Sequence, residues 1–157
     1  MPIEAIQEGL YSFEGAGRRL EYKGCINGAH VYDDYAHHPS ELCATLDAVS
    51  TLNYNRVILA FQPHTYSRTK ALFPDFVREL SKPDVTFLAE IFAAREKNDR
   101  TISSRVLAEA IPGARYRATF PEIAEEIAAI AREGDIILTV GAGDVYKIGE
   151  SLVEYKM

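Results

Sequence analysis

Short apolar, β-branched runs alternate with stretches of helical periodicity along this chain, and that alternation leaves few folds open. Residues 57–61 are a continuous apolar run, as expected of a strand buried on both faces, and 85–89 and 136–140 read as two further strands. Around them, Leu42, Leu46 and Val49 fall on one helical face, as do Phe73, Phe76, Val77 and Leu80. Ile123, Ile127 and Ile130 make a third stripe, and Val145, Ile148 and Leu152 a fourth. Strands in alternation with helices predict a parallel sheet covered on both faces. Upstream, residues 19–23 and 29–33 read as two strands around Cys25-Ile26-Asn27-Gly28, and Asn-Gly favours a tight antiparallel hairpin. The expected fold is therefore α/β: a Rossmann-like, doubly wound, mostly parallel sheet with an antiparallel N-terminal edge hairpin. Its 157 residues suit a single domain over 1–157.

Local signals set the boundaries. Residues 3–10 are weakly helical and run into Gly15-Ala16-Gly17. Pro39-Ser40-Glu41 reads as a first helical turn, and Pro74 belongs in another. Ser103 or Ser104 is placed to cap a helix reaching Ala110, Tyr116 sits in a short strand, and Thr119-Phe120-Pro121-Glu122 matches a capping box. Gly134 is expected to end the helix that follows, before the last strand.

Composition narrows the function. Apolar residues make up 47% of the chain, enough for a packed core, and the net charge of −6 disfavours a sequence-independent hold on nucleic-acid phosphates. There is no apolar run of membrane-spanning length and no signal-peptide pattern, so a cytoplasmic location is expected. Two cysteines, Cys25 and Cys43, cannot build a disulfide framework; both read as small buried hydrophobes.

Two segments carry the chemistry: Asp33-Asp34-Tyr35-Ala36-His37-His38-Pro39 and Phe61-Gln62-Pro63-His64-Thr65-Tyr66-Ser67-Arg68-Thr69. Each follows a strand and precedes a helix, one strand–helix–strand unit apart, so they are expected side by side at one edge of the sheet. That is where open α/β sheets bind ligands. Neighbours on a strand point to opposite faces, so only one of Asp33 and Asp34 can face the crevice while the other caps or pairs locally. Of the adjacent His37 and His38, one is expected to serve as a cap. Arg68 lies near a helix start, where the macrodipole disfavours a cation, so an arginine there wants an anion; its planar fork suits a carboxylate or phosphate. Arg18-Arg19 by default is a solvated basic pair. Gly141-Ala142-Gly143 has the beginning of a dinucleotide turn, but Tyr146 stands where the third glycine would be, and close backbone packing explains the glycines better. No Gly-x-x-x-x-Gly-Lys-[Ser/Thr] loop is present, so a nucleoside triphosphate must be gripped elsewhere.

Together with Phe13-Glu14-Gly15-Ala16-Gly17-Arg18-Arg19 and Gly141-Ala142-Gly143-Asp144, these segments resemble the C-terminal domain of the Mur ligases. Within that family the resemblance is to ligases that add L-alanine to UDP-N-acetylmuramate in peptidoglycan precursor synthesis. It runs from about Leu10 to Leu152. The murein tripeptide recycling ligases share a segment like the first motif, while Gln62 to Thr69 favours the alanine-adding type.

The resemblance implies an ATP-dependent, amide-forming ligase of three domains, of which this chain is the last. Arg19 and Asp34 would contact the nucleotide. His64 and Arg68 would hold L-alanine, with Tyr35 and His37 lining the same crevice. ATP and Mg²⁺ would be gripped mainly by the central domain, so the chain alone is expected to be inactive. Thr65 departs from the pattern, standing where many members carry arginine. Two readings from other classes compete: a metal-dependent hydrolase built on Asp33, Asp34, His37 and His64, and a stand-alone binding module.

Overall fold

A computed structural model describes residues 18–98 and 100–154. The expected helix over 3–10 and the Gly15–Gly17 stretch lie outside them. The elements run β1 (Glu21–Ile26), β2 (Ala29–Asp34), α1 (Pro39–Ser50), β3 (Arg56–Phe61), α2 (Tyr66–Ala71) and α3 (Phe73–Leu80). After these come β4 (Val85–Leu88), α4 (Ser104–Glu109), β5 (Arg115–Tyr116), α5 (Phe120–Ile130), β6 (Asp135–Val140) and α6 (Tyr146–Glu154). Six strands form one sheet in the order β1-β2-β6-β3-β4-β5, antiparallel only at β1–β2.

The hairpin turn is Asn27-Gly28, with φ of 52° and 79°. Both central residues are left-handed, as the primed turns that match strand twist require. β1 itself sits two to three residues later than expected, with a bulge between Tyr22 and Gly24.

Alternation along the buried strands separates two cores. Val57, Leu59 and Phe61, with Ile136, Leu138 and Val140, meet Leu42, Leu46 and Val49 of α1, Phe76 and Leu80 of α3 and Leu107 of α4. Ile58, Ala60 and Ile137 point the other way, against Ile123 and Ile127 of α5 and Ile148 and Leu152 of α6. Side chains cap the starts of three helices: His38 on α1, Ser103 on α4 and Thr119 on α5, the first and last as capping boxes. α5 ends at Ile130, ahead of Gly134, whose φ of 87° makes the turn into β6. The cysteines depart from expectation. Cys25 is exposed on the hairpin and Cys43 is half-buried beside Asp47 and Lys82.

At the edge away from the crevice, Arg56 Nη2 meets the buried Asp135 carboxylate at 2.6 Å, and the Arg132 amide donates to the same carboxylate. Burial alone would raise the Asp135 carboxyl, but the Arg56 fork and the Arg132 amide hold it below its ordinary value. A folded-state value below the unfolded one contributes stability that is fully present above about pH 4 and is lost as the pH falls through the folded value. The urea midpoint should therefore drop below about pH 4, and less steeply in Asp135→Asn than in the unsubstituted chain.

Candidate functional site

The sheet ends in a row. Asp34 pairs with Val140, Val140 with Phe61, Phe61 with Leu88 and Leu88 with Tyr116. The two motifs thus leave the sheet at one level, but not from neighbouring strands. β6, buried along its whole length, lies between β2 and β3. β2 alternates buried residues with exposed or half-buried ones and suits a place nearer the edge. The Gly141–Gly143 turn therefore emerges between the motifs.

The two aspartates divide as strand geometry requires. Asp33 is 1% exposed, receives Arg18 Nε at 2.7 Å and accepts from the Thr139 hydroxyl at 2.7 Å. Asp34 faces the α1 side. It accepts from the amides of Leu20 (2.9 Å) and Ala36 (2.8 Å) and from the Thr45 hydroxyl (3.2 Å). Asp34 thereby holds the bend that carries Arg19, whose own side chain is exposed.

Arg18 is not the solvated charge expected of a basic pair. Besides Asp33, its guanidinium donates to the carbonyls of Gly143 (2.9 Å) and Gly141 (2.6 Å), and it packs against the rings of Tyr35 and Tyr146. Gln62 ties the same turn from the β3 side, accepting from the Asp144 amide at 2.9 Å and donating to the Glu90 carbonyl at 3.2 Å. The glycines are there for contact. A Cβ on Gly143 would lie 2.6 Å from Gln62 Oε1 and 2.7 Å from the Phe92 ring. Gly143→Ala should cost about 1–3 kcal/mol, read by chemical denaturation, because both neighbours are themselves packed.

Across the crevice, aromatic rings form a ladder. Tyr35 meets His37 edge-on with centroids 5.4 Å apart, His37 lies 5.5 Å from His64, and His64 stacks on Phe92 at 5.5 Å. Phe92 is held by two backbone bonds: its amide donates to the Pro63 carbonyl, and its carbonyl accepts from the Thr65 amide. Thr65, with φ of 66°, occupies a conformation rare for a β-branched residue and caps α2 by accepting from the Arg68 amide. Arg68, on this short helix, donates from Nη1 to His64 Nδ1 at 3.2 Å. Burial, then the Arg68 cation and His37, pushes the His64 imidazole below its ordinary value, so it is the neutral partner in that bond. Among the described residues Arg68 forms no ion pair, and His64 is the only partner of its guanidinium.

The histidines separate as well. His38 turns away to cap α1 and His37 stays in the crevice. Tyr35, His37, His64 and Arg68 are thus brought together, with Asp34 and Arg19 on the adjoining side. The hydrolase set is not assembled. The carboxylates of Asp33 and Asp34 face opposite sides of the sheet, and among the described residues no three His, Cys, Asp or Glu side chains are grouped to hold a metal ion. Sequence reading passed over Gln62 and Phe92. The first lay inside a motif without an assigned part, and nothing local marks the second.

A half-buried guanidinium beside a neutral imidazole, at the carboxyl end of the parallel strands, has the chemistry to pair with a small anion. The sequence profile of the Mur ligase glutamate ligase domain matches residues 18–143. The chain belongs to this family. It is 44% identical over 160 residues to the UDP-N-acetylmuramate–L-alanine ligase of Clostridium novyi, covering 99% of this chain and 35% of that protein. The ligase of the same name from Agathobacter rectalis is 48% identical over 155 residues, covering 96% and 34%. The crystal structure of UDP-N-acetylmuramate-alanine ligase from Thermotoga maritima shares the fold, with a TM-score of 0.69 at 23% identity, over 98% of this chain and 33% of that one. The chain spans about a third of the length of these relatives. No helix among the described residues is long and apolar enough to cross a membrane.

Proposed function

We propose that this domain binds the amino acid and closes over ATP in a ligase that joins L-alanine to UDP-N-acetylmuramate. The observation that carries the reading is Arg68, a half-buried cation with no ion pair among the described residues, set beside neutral His64. The relatives' names supply the choice of L-alanine. In this reading Arg68 takes the alanine carboxylate, His64 holds the guanidinium in place, and Tyr35 and His37 wall the pocket. Arg19 is exposed and can reach a phosphate. Asp34 suits a single further donor such as a ribose hydroxyl, because Oδ1 already accepts twice and Oδ2 once.

The chemistry is a two-step condensation. The γ-phosphoryl group of ATP passes to the muramate carboxylate, and the amine then displaces phosphate from the acyl phosphate to leave an amide. Mg²⁺ accompanies ATP and is held by the preceding domains. Such reactions depend on positioning and charge stabilisation, and this domain contributes the positioning of the nucleophile. The chain alone is expected to release no phosphate from ATP in the presence of UDP-N-acetylmuramate and L-alanine. Joined to the preceding domains of such a ligase it should do so in an L-alanine-dependent way. Turnover by the isolated chain would contradict the reading.

A further inference from the structure

The three histidines at this edge carry their protons on different nitrogens, and the hydrogen bonds show which. His38 Nδ1 accepts from the Ser40 amide at 3.2 Å, and His64 Nδ1 accepts from Arg68 Nη1 at 3.2 Å. Each, when neutral, therefore has its proton on Nε2. His37 is the reverse. Its Nδ1 lies 3.0 Å from the Tyr35 carbonyl oxygen, and a carbonyl only accepts, so the proton stays on Nδ1 and the lone pair on Nε2. Glu41 Oε2, which accepts from the amides of His37 and His38, sits 3.5 Å from the same Nδ1. The His37 side chain is 24% exposed and lies between the edge of Tyr35 and the ring of His64.

Resting on the reading of this crevice as an amino-acid site, we infer that His37 Nε2 is the base that takes the proton from the ammonium group of the incoming amino acid. An amino acid arrives as the ammonium form, whose nitrogen has no lone pair and cannot attack. With its carboxylate on Arg68, the amino acid lies against His64. That imidazole offers only an N–H, and burial and Arg68 oppose a second proton on it. The next ring along the ladder is His37, which offers a bare nitrogen. Its other side has the arrangement of an oriented base: an acceptor fixes the N–H, and a carboxylate steadies the cation once it forms. The charged and titratable groups around it are Tyr35 and Glu41 on its own segment and α1, His64 and Arg68 across the crevice, and Arg18 behind Tyr35.

The step balances. A proton moves from the ammonium nitrogen to His37 Nε2. The freed lone pair forms the C–N bond to the acyl-phosphate carbonyl carbon, and the C–O bond to phosphate breaks with its electron pair leaving on phosphate. The second nitrogen proton passes to the departing phosphate, and His37 returns its proton to solvent.

Hydroxylamine provides the test, because it is unprotonated at neutral pH and needs no base. The experiment compares His37→Gln with the unsubstituted protein, each joined to the preceding domains, using ATP and UDP-N-acetylmuramate with either L-alanine or hydroxylamine. The L-alanine reaction should lose ~100-fold or more in kcat, with KM for L-alanine little changed, while hydroxamate forms at nearly the unsubstituted rate. That retained hydroxamate also shows the variant is folded and makes the acyl phosphate. Equal losses with both nucleophiles, or no loss with either, would overturn the assignment. Failure of the unsubstituted ligase to use L-alanine while still forming hydroxamate would instead remove the amino-acid reading, and the base with it.

Discussion

Arg18→Ala should destabilise the domain by about 3–5 kcal/mol, the usual cost of removing one partner from a buried ion pair. Asp33 is 1% exposed, and without Arg18 it keeps, among the described residues, only the Thr139 hydroxyl as a hydrogen-bond donor. The same change strands the carbonyls of Gly141 and Gly143 and empties the space between Tyr35 and Tyr146. Against a typical total of about 5–15 kcal/mol that loss is severe. Arg18→Lys should fall between the two, since an ammonium can pair with Asp33 but cannot span both carbonyls with a planar fork. Urea denaturation of the three proteins measures this. A loss below about 1 kcal/mol for Arg18→Ala would mean the pair behaves as an exposed one.

Arg68→Ala should leave stability nearly unchanged and strike the amino acid. Among the described residues its guanidinium has one neutral partner, His64, so little in the fold depends on it. A charge-assisted bond to a carboxylate is worth about 1.5–3 kcal/mol, which corresponds to a roughly 10- to 100-fold higher KM for L-alanine. KM for ATP should stay put. Equal rises in both constants, or none, would show that Arg68 does not hold the carboxylate.

Much of this was legible before the structure. Asn27-Gly28, the Thr119 capping box and the apolar strands are local signals, each tied to a backbone requirement within a few residues, and each stands where the sequence puts it. At α1 the sequence shows only that one of two adjacent histidines caps the helix; that it is His38, in a capping box with Glu41, comes from the structure. The meeting of Tyr35, His37, His64 and Arg68 was legible too, because both motifs follow parallel strands. Strand order was not. That β6 separates β2 from β3 follows from its burial on both faces, and burial is decided by the whole sheet. Arg18 shows the same limit. Beside Arg19 it reads as a solvated charge, but its partner Gly143 is 125 residues further along the chain. Phe92 stacks on His64 only because the segment after β4 folds back over Pro63 and Thr65. Cys25 and Cys43 failed for a simpler reason: residue type predicts burial on average, and a hairpin places Cys25 at the sheet margin.

The central claim is that this crevice receives L-alanine. Its most direct test gives the domain, joined to the preceding domains of its ligase, ATP and UDP-N-acetylmuramate with L-alanine and the murein tripeptide in competition, and identifies the product by mass. The account predicts UDP-N-acetylmuramoyl-L-alanine as the dominant product. A tripeptide adduct, or no amide at all, would contradict it.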